Sequence, residues 1–230
     1  MFAGRSRCLA CGHTLGARDL VPVFSFLFCR GRCRHCGEKI PAECLAAELL
    51  GAAGFVCVAA RFGPTLSLDS WADWCFLAQW LIWWAVLLAL TLTDMAKRII
   101  PNRLLLALIV NRVVWFFVLG EAPGTVLPDV LKALLVPVTL LILVLLSEKL
   151  MRRELMGGGD IKLLLVLALY MSWIQLLLAL LAGCLAGLIF AAAARKRPGM
   201  AMPFGPFLAA GALAVVCFAD PLIGWYFGLF

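Results

Sequence analysis

Apolar runs at about residues 44–60, 74–93, 103–120, 128–147, 160–171, 173–194 and 204–217 constrain this chain more than any other feature. So many runs of that length cannot be buried inside a soluble domain of 230 residues. The composition agrees, with 64% hydrophobic residues, 14% charged residues and a mean hydropathy of +1.03. The expected fold is therefore all-α: a polytopic membrane bundle of about seven helices over residues 42–230, preceded by a small module over residues 1–41. The run at 160–171 would rise only about 18 Å as a helix, so it reads as a partial span ending at Ser172 and Trp173. The alternative is one long, tilted helix over 160–194.

The net charge of +7 could suggest nucleic acid. The basic residues, however, fall in clusters between the apolar runs and not on one face, so they report topology and exclude nucleic acid as a partner. With the N-terminal module in the cytoplasm, the inner side receives Arg5, Arg7, Arg18, Arg30, Arg32, Arg34 and Lys39, then Lys97, Arg98 and Arg103. It also receives Lys149, Arg152, Arg153, Lys162, Arg195, Lys196 and Arg197. The outer loops hold Arg61 beside acidic Asp69, Asp73, Glu121 and Asp220. That asymmetry predicts a multi-pass membrane protein with a cytoplasmic N-terminal module. Residues 1–41 lack the continuous apolar core of a cleavable signal.

Within that module Cys8 and Cys11, then Cys33 and Cys36, form two Cys-x-x-Cys pairs separated by twenty-one residues. This spacing is close to the paired knuckles of four-thiolate zinc sites, and so few residues have too little core to fold without a cross-link. The competing reading is four unligated, reduced thiols. His13 and His35 adjoin the pairs and are expected at the surface. Cys29 and Cys44 are spare, and Cys57, Cys75, Cys184 and Cys217 read as small hydrophobes.

In the membrane part, Gly157-Gly158-Gly159-Asp160 opens one apolar run and Asp94 closes another. Helices alternating in direction put both carboxylates at similar depth near the cytoplasmic face. An acid there is costly to keep. Asp160 could simply N-cap a helix after glycines that release the backbone from helical geometry. Two acids could also relay protons or bind a cation in a transporter, or divide base and acid roles in an aspartyl protease. A zinc-module adaptor anchored in the membrane is a further possibility, but it gives the acids no reason to exist. A transporter would be expected to show internal repeat symmetry, which this sequence lacks. Glu48, Asn111 and Arg112 are expected to face the bundle interior. Pro203-Phe204-Gly205-Pro206 reads as a proline-led helix start.

These segments together resemble the type IV prepilin peptidases. Asp94 followed by Ile100-Pro101-Asn102 is similar to the family's first active-site motif, and Gly157 to Leu163 is similar to its second, GxGD-x-K-L. Gly31-Arg-Cys33-Arg-His-Cys36-Gly37 resembles its cytoplasmic domain, and Pro203 to Pro206 also matches. The resemblance implies a bifunctional enzyme of the bacterial inner membrane. Such an enzyme cleaves the leader of type IV prepilins or type II secretion pseudopilins at the cytoplasmic edge, then methylates the new N-terminus with S-adenosylmethionine. It implies Asp94 and Asp160 as catalytic residues, Cys8, Cys11, Cys33 and Cys36 as ligands of structural zinc, and prepilins and membrane lipid as partners. No residues for the methyl donor can be named. Family members usually carry a transmembrane helix before the cysteine module, whereas seven residues precede Cys8 here. That departure bears on packing and methyl transfer more than on the peptidase motifs.

Overall fold

The computed structural model describes residues 6–8, 10–67, 69–151, 157–193 and 203–227. The basic residues Arg5, Arg152, Arg153, Arg195, Lys196 and Arg197 lie outside them. Helices α1 (Phe24–Phe28), α2 (Ala42–Phe62), α3 (Trp71–Lys97), α4 (Asn102–Val118), α5 (Pro123–Met151), α6 (Gly158–Leu167), α7 (Trp173–Ala193) and α8 (Gly205–Phe227) account for most of the chain. Among the described residues, strand pairing is limited to two isolated bridges, Arg7 with Thr14 and Arg32 with Lys39. Every expected apolar run is a helix, α2 to α8, which bears out the all-α reading. Helical segments Cys44–Thr65, Trp71–Lys97, Pro123–Leu150 and Trp173–Ala193 are long and apolar enough to cross a membrane, and Gly205–Ala219 is a shorter apolar stretch.

Helix ends follow local chemistry. Ser70 accepts the Asp73 N–H at the start of α3. The break between α6 and α7 is a capping box: the Ser172 N–H donates to Gln175 Oε1 at 3.0 Å, and the Gln175 N–H donates to Ser172 Oγ at 3.4 Å. Residues 160–193 are therefore two helices, because Ser172 and Gln175 satisfy each other's orphan groups.

Contacts divide the chain into two units, Met1–Val56 and Cys57–Phe230, with the division inside α2. The first unit is built on two turns with one pattern. Cys8 N–H donates to His13 O and Gly12 N–H to Cys8 O; Cys33 N–H donates to Glu38 O and Gly37 N–H to Cys33 O. Gly12 and Gly37 hold φ of +69° and +72°, which a side chain would strain.

In the second unit Trp83, Leu87 and Leu90 of α3 meet Leu108 of α4, Leu163, Leu164 and Leu167 of α6, Leu176 of α7 and Leu208 of α8 in one buried core. Small residues let α7 and α8 approach: a Cβ at Gly211 would strike the Ala179 carbonyl and lie 2.9 Å from Gly183 N. By contrast α5 leaves Leu131, Leu135, Ile142 and Leu146 exposed, as a helix bordering lipid would.

Candidate functional site

Asp94 lies on the last turn of α3 and is 6% exposed. Just past it α3 stops, because Arg98 adopts φ +54° and donates its N–H to the Asp94 carbonyl at 2.7 Å. Ile99, Ile100 and Pro101 then lead into α4. Ile100 packs against the first turn of α6, where a Cβ on Gly159 would lie only 3.2 Å from Ile100 Cβ. Beside it, Lys162 Nζ donates to Asn102 Oδ1 at 3.4 Å. The first turn of α8 closes the group: Gly205 N–H donates to Asp94 Oδ2 at 3.1 Å, and a Cβ there would lie 2.7 Å from that oxygen. Asp160, in the first turn of α6, lies within electrostatic reach of Asp94. Neither carboxylate has an ion-pair partner among the described residues.

The glycines before Asp160 act differently from the sequence expectation. None takes a positive φ, and Gly158 and Gly159 are already helical. Gly159 serves close approach to Ile100. The N-cap is Gly157, without a side-chain hydrogen bond, and Asp160 occupies the first turn. Asp160 is therefore not the N-cap residue of α6.

Other polar groups of the spans are satisfied elsewhere. Arg112 donates to both Glu121 oxygens at 2.9 and 2.7 Å and to Leu169 O at 2.9 Å, which supplies the partner that spacing could not name. Asn111 bonds Gln79 O, Tyr170 Oη and Trp115 Nε1. Glu48 Oε2 accepts the Val23 N–H at 2.7 Å, a bond within the first unit that braces it.

The four sulfurs of Cys8, Cys11, Cys33 and Cys36 lie within 4.8 Å of one another. Cys8 Sγ and Cys36 Sγ are 3.9 Å apart, against about 3.8 Å for sulfurs on a tetrahedral zinc ion. Backbone N–H groups of Cys11 and then Ala10 pull the Cys8 thiol down to about 6, favouring the ligating thiolate. Cys36 is held at about 12: the Glu38 N–H lowers it, but desolvation and the sulfurs of Cys33, Cys11 and Cys8 outweigh that. These donors fit a soft, tetrahedral cation. His13 and His35 are exposed, with ring centroids 3.5 Å apart and planes tilted by 32°. Cys29, read as spare, accepts Arg34 Nε at 3.3 Å.

Sequence reasoning missed Gly205 as a neighbour of Asp94, having read its motif as a helix start. The available signal was a glycine between two prolines, an unusual way to open a helix unless something must come close.

The bacterial peptidase A24 N-terminal domain model matches residues 1–62, and the type IV leader peptidase family model matches residues 80–192. The chain is 35% identical to a prepilin leader peptidase/N-methyltransferase of Dichelobacter nodosus, covering 98% of this chain and 74% of that protein. For the proteins of the same description from Aeromonas hydrophila and Bacillus subtilis the identities are 33% and 31%, with 98% of this chain covered in each case and 76% and 86% of the relatives. No solved structure matches.

Proposed function

The chain belongs to the prepilin leader peptidase/N-methyltransferase family, and we propose that it cuts the leader from type IV prepilins or type II secretion pseudopilins with Asp94 and Asp160 as its catalytic pair. The observation that carries this reading is convergence. Asp94, Ile100 to Asn102, Gly159 to Lys162 and Gly205 come from separated parts of the sequence, yet contact one another around two acids that no cation neutralises among the described residues. In the proposed reaction one carboxylate takes a proton from a water, whose oxygen attacks the scissile carbonyl. The other, protonated, donates to the carbonyl oxygen. Collapse of the tetrahedral intermediate breaks the C–N bond, and the new amine leaves with a proton. Family membership favours this over a proton-coupled or cation-binding transporter.

In the proposed arrangement residues 1–41 form a cytoplasmic module that binds structural zinc through Cys8, Cys11, Cys33 and Cys36. Residues 42–230 form the peptidase bundle in the bacterial inner membrane, with the acids on the cytoplasmic side. Zinc would supply a cross-link in place of a core. The second activity is methylation of the newly exposed amine with S-adenosylmethionine, for which no residues are assigned. Lipid surrounds the bundle, and nucleic acid has no part.

Purified enzyme incubated with a prepilin and S-adenosylmethionine tests the reading by the mass of the product. The expected product has lost its leader and gained one methyl group. Intact prepilin after prolonged incubation with folded enzyme would refute it.

A further inference from the structure

Gly205 has no assigned role, and its surroundings give it one. Its N–H donates to Asp94 Oδ2 at 3.1 Å in a buried setting. The same residue admits no side chain, since a Cβ would lie 2.7 Å from Oδ2 and 3.3 Å from Asp94 Cγ. Contacts under 3 Å to a held carboxylate cannot be absorbed without moving it. Pro203 and Pro206 flank the position, and Pro206 falls at the second residue of α8, where a missing N–H costs nothing. The first turn of α8 thus delivers one free backbone N–H to one carboxylate oxygen.

We propose that Gly205 is the positioning residue of Asp94: its N–H holds Oδ2 and fixes the rotation of the carboxyl group, so that Oδ1 is the oxygen left to meet water or the scissile carbonyl. This rests on the peptidase reading given above. It also assigns the Pro-Phe-Gly-Pro motif a function other than starting a helix. Gly211, six residues on in the same helix, is the useful contrast. The atoms nearest a Cβ there are backbone atoms of α7, at Ala179 and Gly183, and neither acid is among them. Gly205 therefore governs chemistry, and Gly211 governs packing.

The experiment measures kcat, KM and thermal midpoint for Gly205→Ala, Gly211→Ala, Gly187→Ala and Asp94→Asn in the full-length protein, on a prepilin substrate. Gly205→Ala is expected to lower kcat at least about tenfold, with KM and the midpoint close to wild type, because substrate contacts and helix packing are unchanged. Gly205→Pro, which also removes the N–H, should lower kcat further. Gly211→Ala should lower the midpoint, while kcat per folded molecule is kept. Gly187→Ala, whose Cβ meets Phe207 at an ordinary 3.6 Å, should alter neither. A Gly205→Ala enzyme with kcat within twofold of wild type would overturn the proposal, as would a loss of kcat only in proportion to lost folded protein. If Asp94→Asn itself retained cleavage, the dyad would fall first. Inactive Asp94→Asn beside normal Gly205→Ala would remove the positioning role alone.

Discussion

Two polar regions border α4, and they are built in opposite ways. Near its start Asp94 and Asp160 lie within electrostatic reach of each other, and neither has an ion-pair partner among the described residues. About 15 Å further along the helix, Arg112 is locked to Glu121 by two hydrogen bonds and to Leu169 O by a third. Around it Asn111 ties α3, α4 and the end of the α6 segment together through Gln79 O and Tyr170 Oη. A charge in a bundle is costly in either place. At Arg112 the cost is offset by a bidentate carboxylate and a backbone carbonyl. At the acids the compensation is the Gly205 N–H on Asp94 Oδ2 and no cation among the described residues, which fits the catalytic role proposed above. On the proposed reading, what separates framework from reactive group is whether the charge has its complement, not how deep it lies.

The sharpest way to break that contrast is to neutralise the acids. Asp94→Asn and Asp160→Asn should each lower cleavage at least about a hundredfold, since one role of two is lost. Isosteric side chains leave the packing intact, so thermal midpoints should hold or rise. An Asn variant that processed prepilin at a near-normal rate, at wild-type protein level, would place Asp94 or Asp160 with the framework.

A smaller effect on cleavage is expected from the cysteines, whose four sulfurs lie within 4.8 Å of one another. Replacing Cys33 and Cys36 with Ser should release the metal, measurable by elemental analysis of the purified protein. It should impair methylation more than cleavage, and product mass reads both steps. Unchanged metal content would undo the ligand assignment. Complete loss of cleavage with the bundle still folded would tie the module to the peptidase step.

Arg112→Leu tests the other arm of the comparison. Leaving Glu121 without its partner should cost about 3 kcal/mol of stability, read as a lower thermal midpoint, while kcat of the surviving folded enzyme stays near wild type. Glu121→Gln should cost less, because a neutral amide can still accept from the guanidinium. A fall in kcat without a fall in midpoint would mean that the paired region takes part in chemistry.

How far the sequence foretold these regions depends on the range of the forces involved. Helices α2 to α8 were legible because hydrophobic runs and basic clusters are local signals, and Ser172 with Gln175 could have settled the α6–α7 break by its spacing alone. The two cysteine turns were legible for the same reason, each being complete within a few residues. Asp94 and Asp160 stood out as acids in apolar surroundings. Gly205 could not be joined to Asp94, since 111 residues separate them and only the packing of α8 against α3 brings them together. Arg112 could be flagged but not paired, because Glu121 reaches it only after the chain turns at Gly120, where φ is +64°. The triple glycine misled by suggesting backbone freedom, when its third member is needed for a close approach.

That close approach yields the subtlest test. A methyl group at Gly159 would lie 3.2 Å from Ile100 Cβ and 3.3 Å from its Cγ1 and Cδ1, tight enough that Ile100 must give way by a few tenths of an ångström. Opposing this, Ala in a helix is favoured over Gly by about 1 kcal/mol. Stability should therefore change little in Gly159→Ala. Ile100, however, belongs to the link between Asp94 and α4, so a shift there should misplace Asp94 relative to Asp160 and lower kcat a few-fold at unchanged KM. Ile100→Ala in the same protein removes two of the three close atoms and should restore part of the lost rate, although alone it weakens packing. If the double variant is no faster than Gly159→Ala, crowding against Ile100 is not the cause, and Gly159 would answer to the substrate instead of to the contact that joins the two acidic motifs.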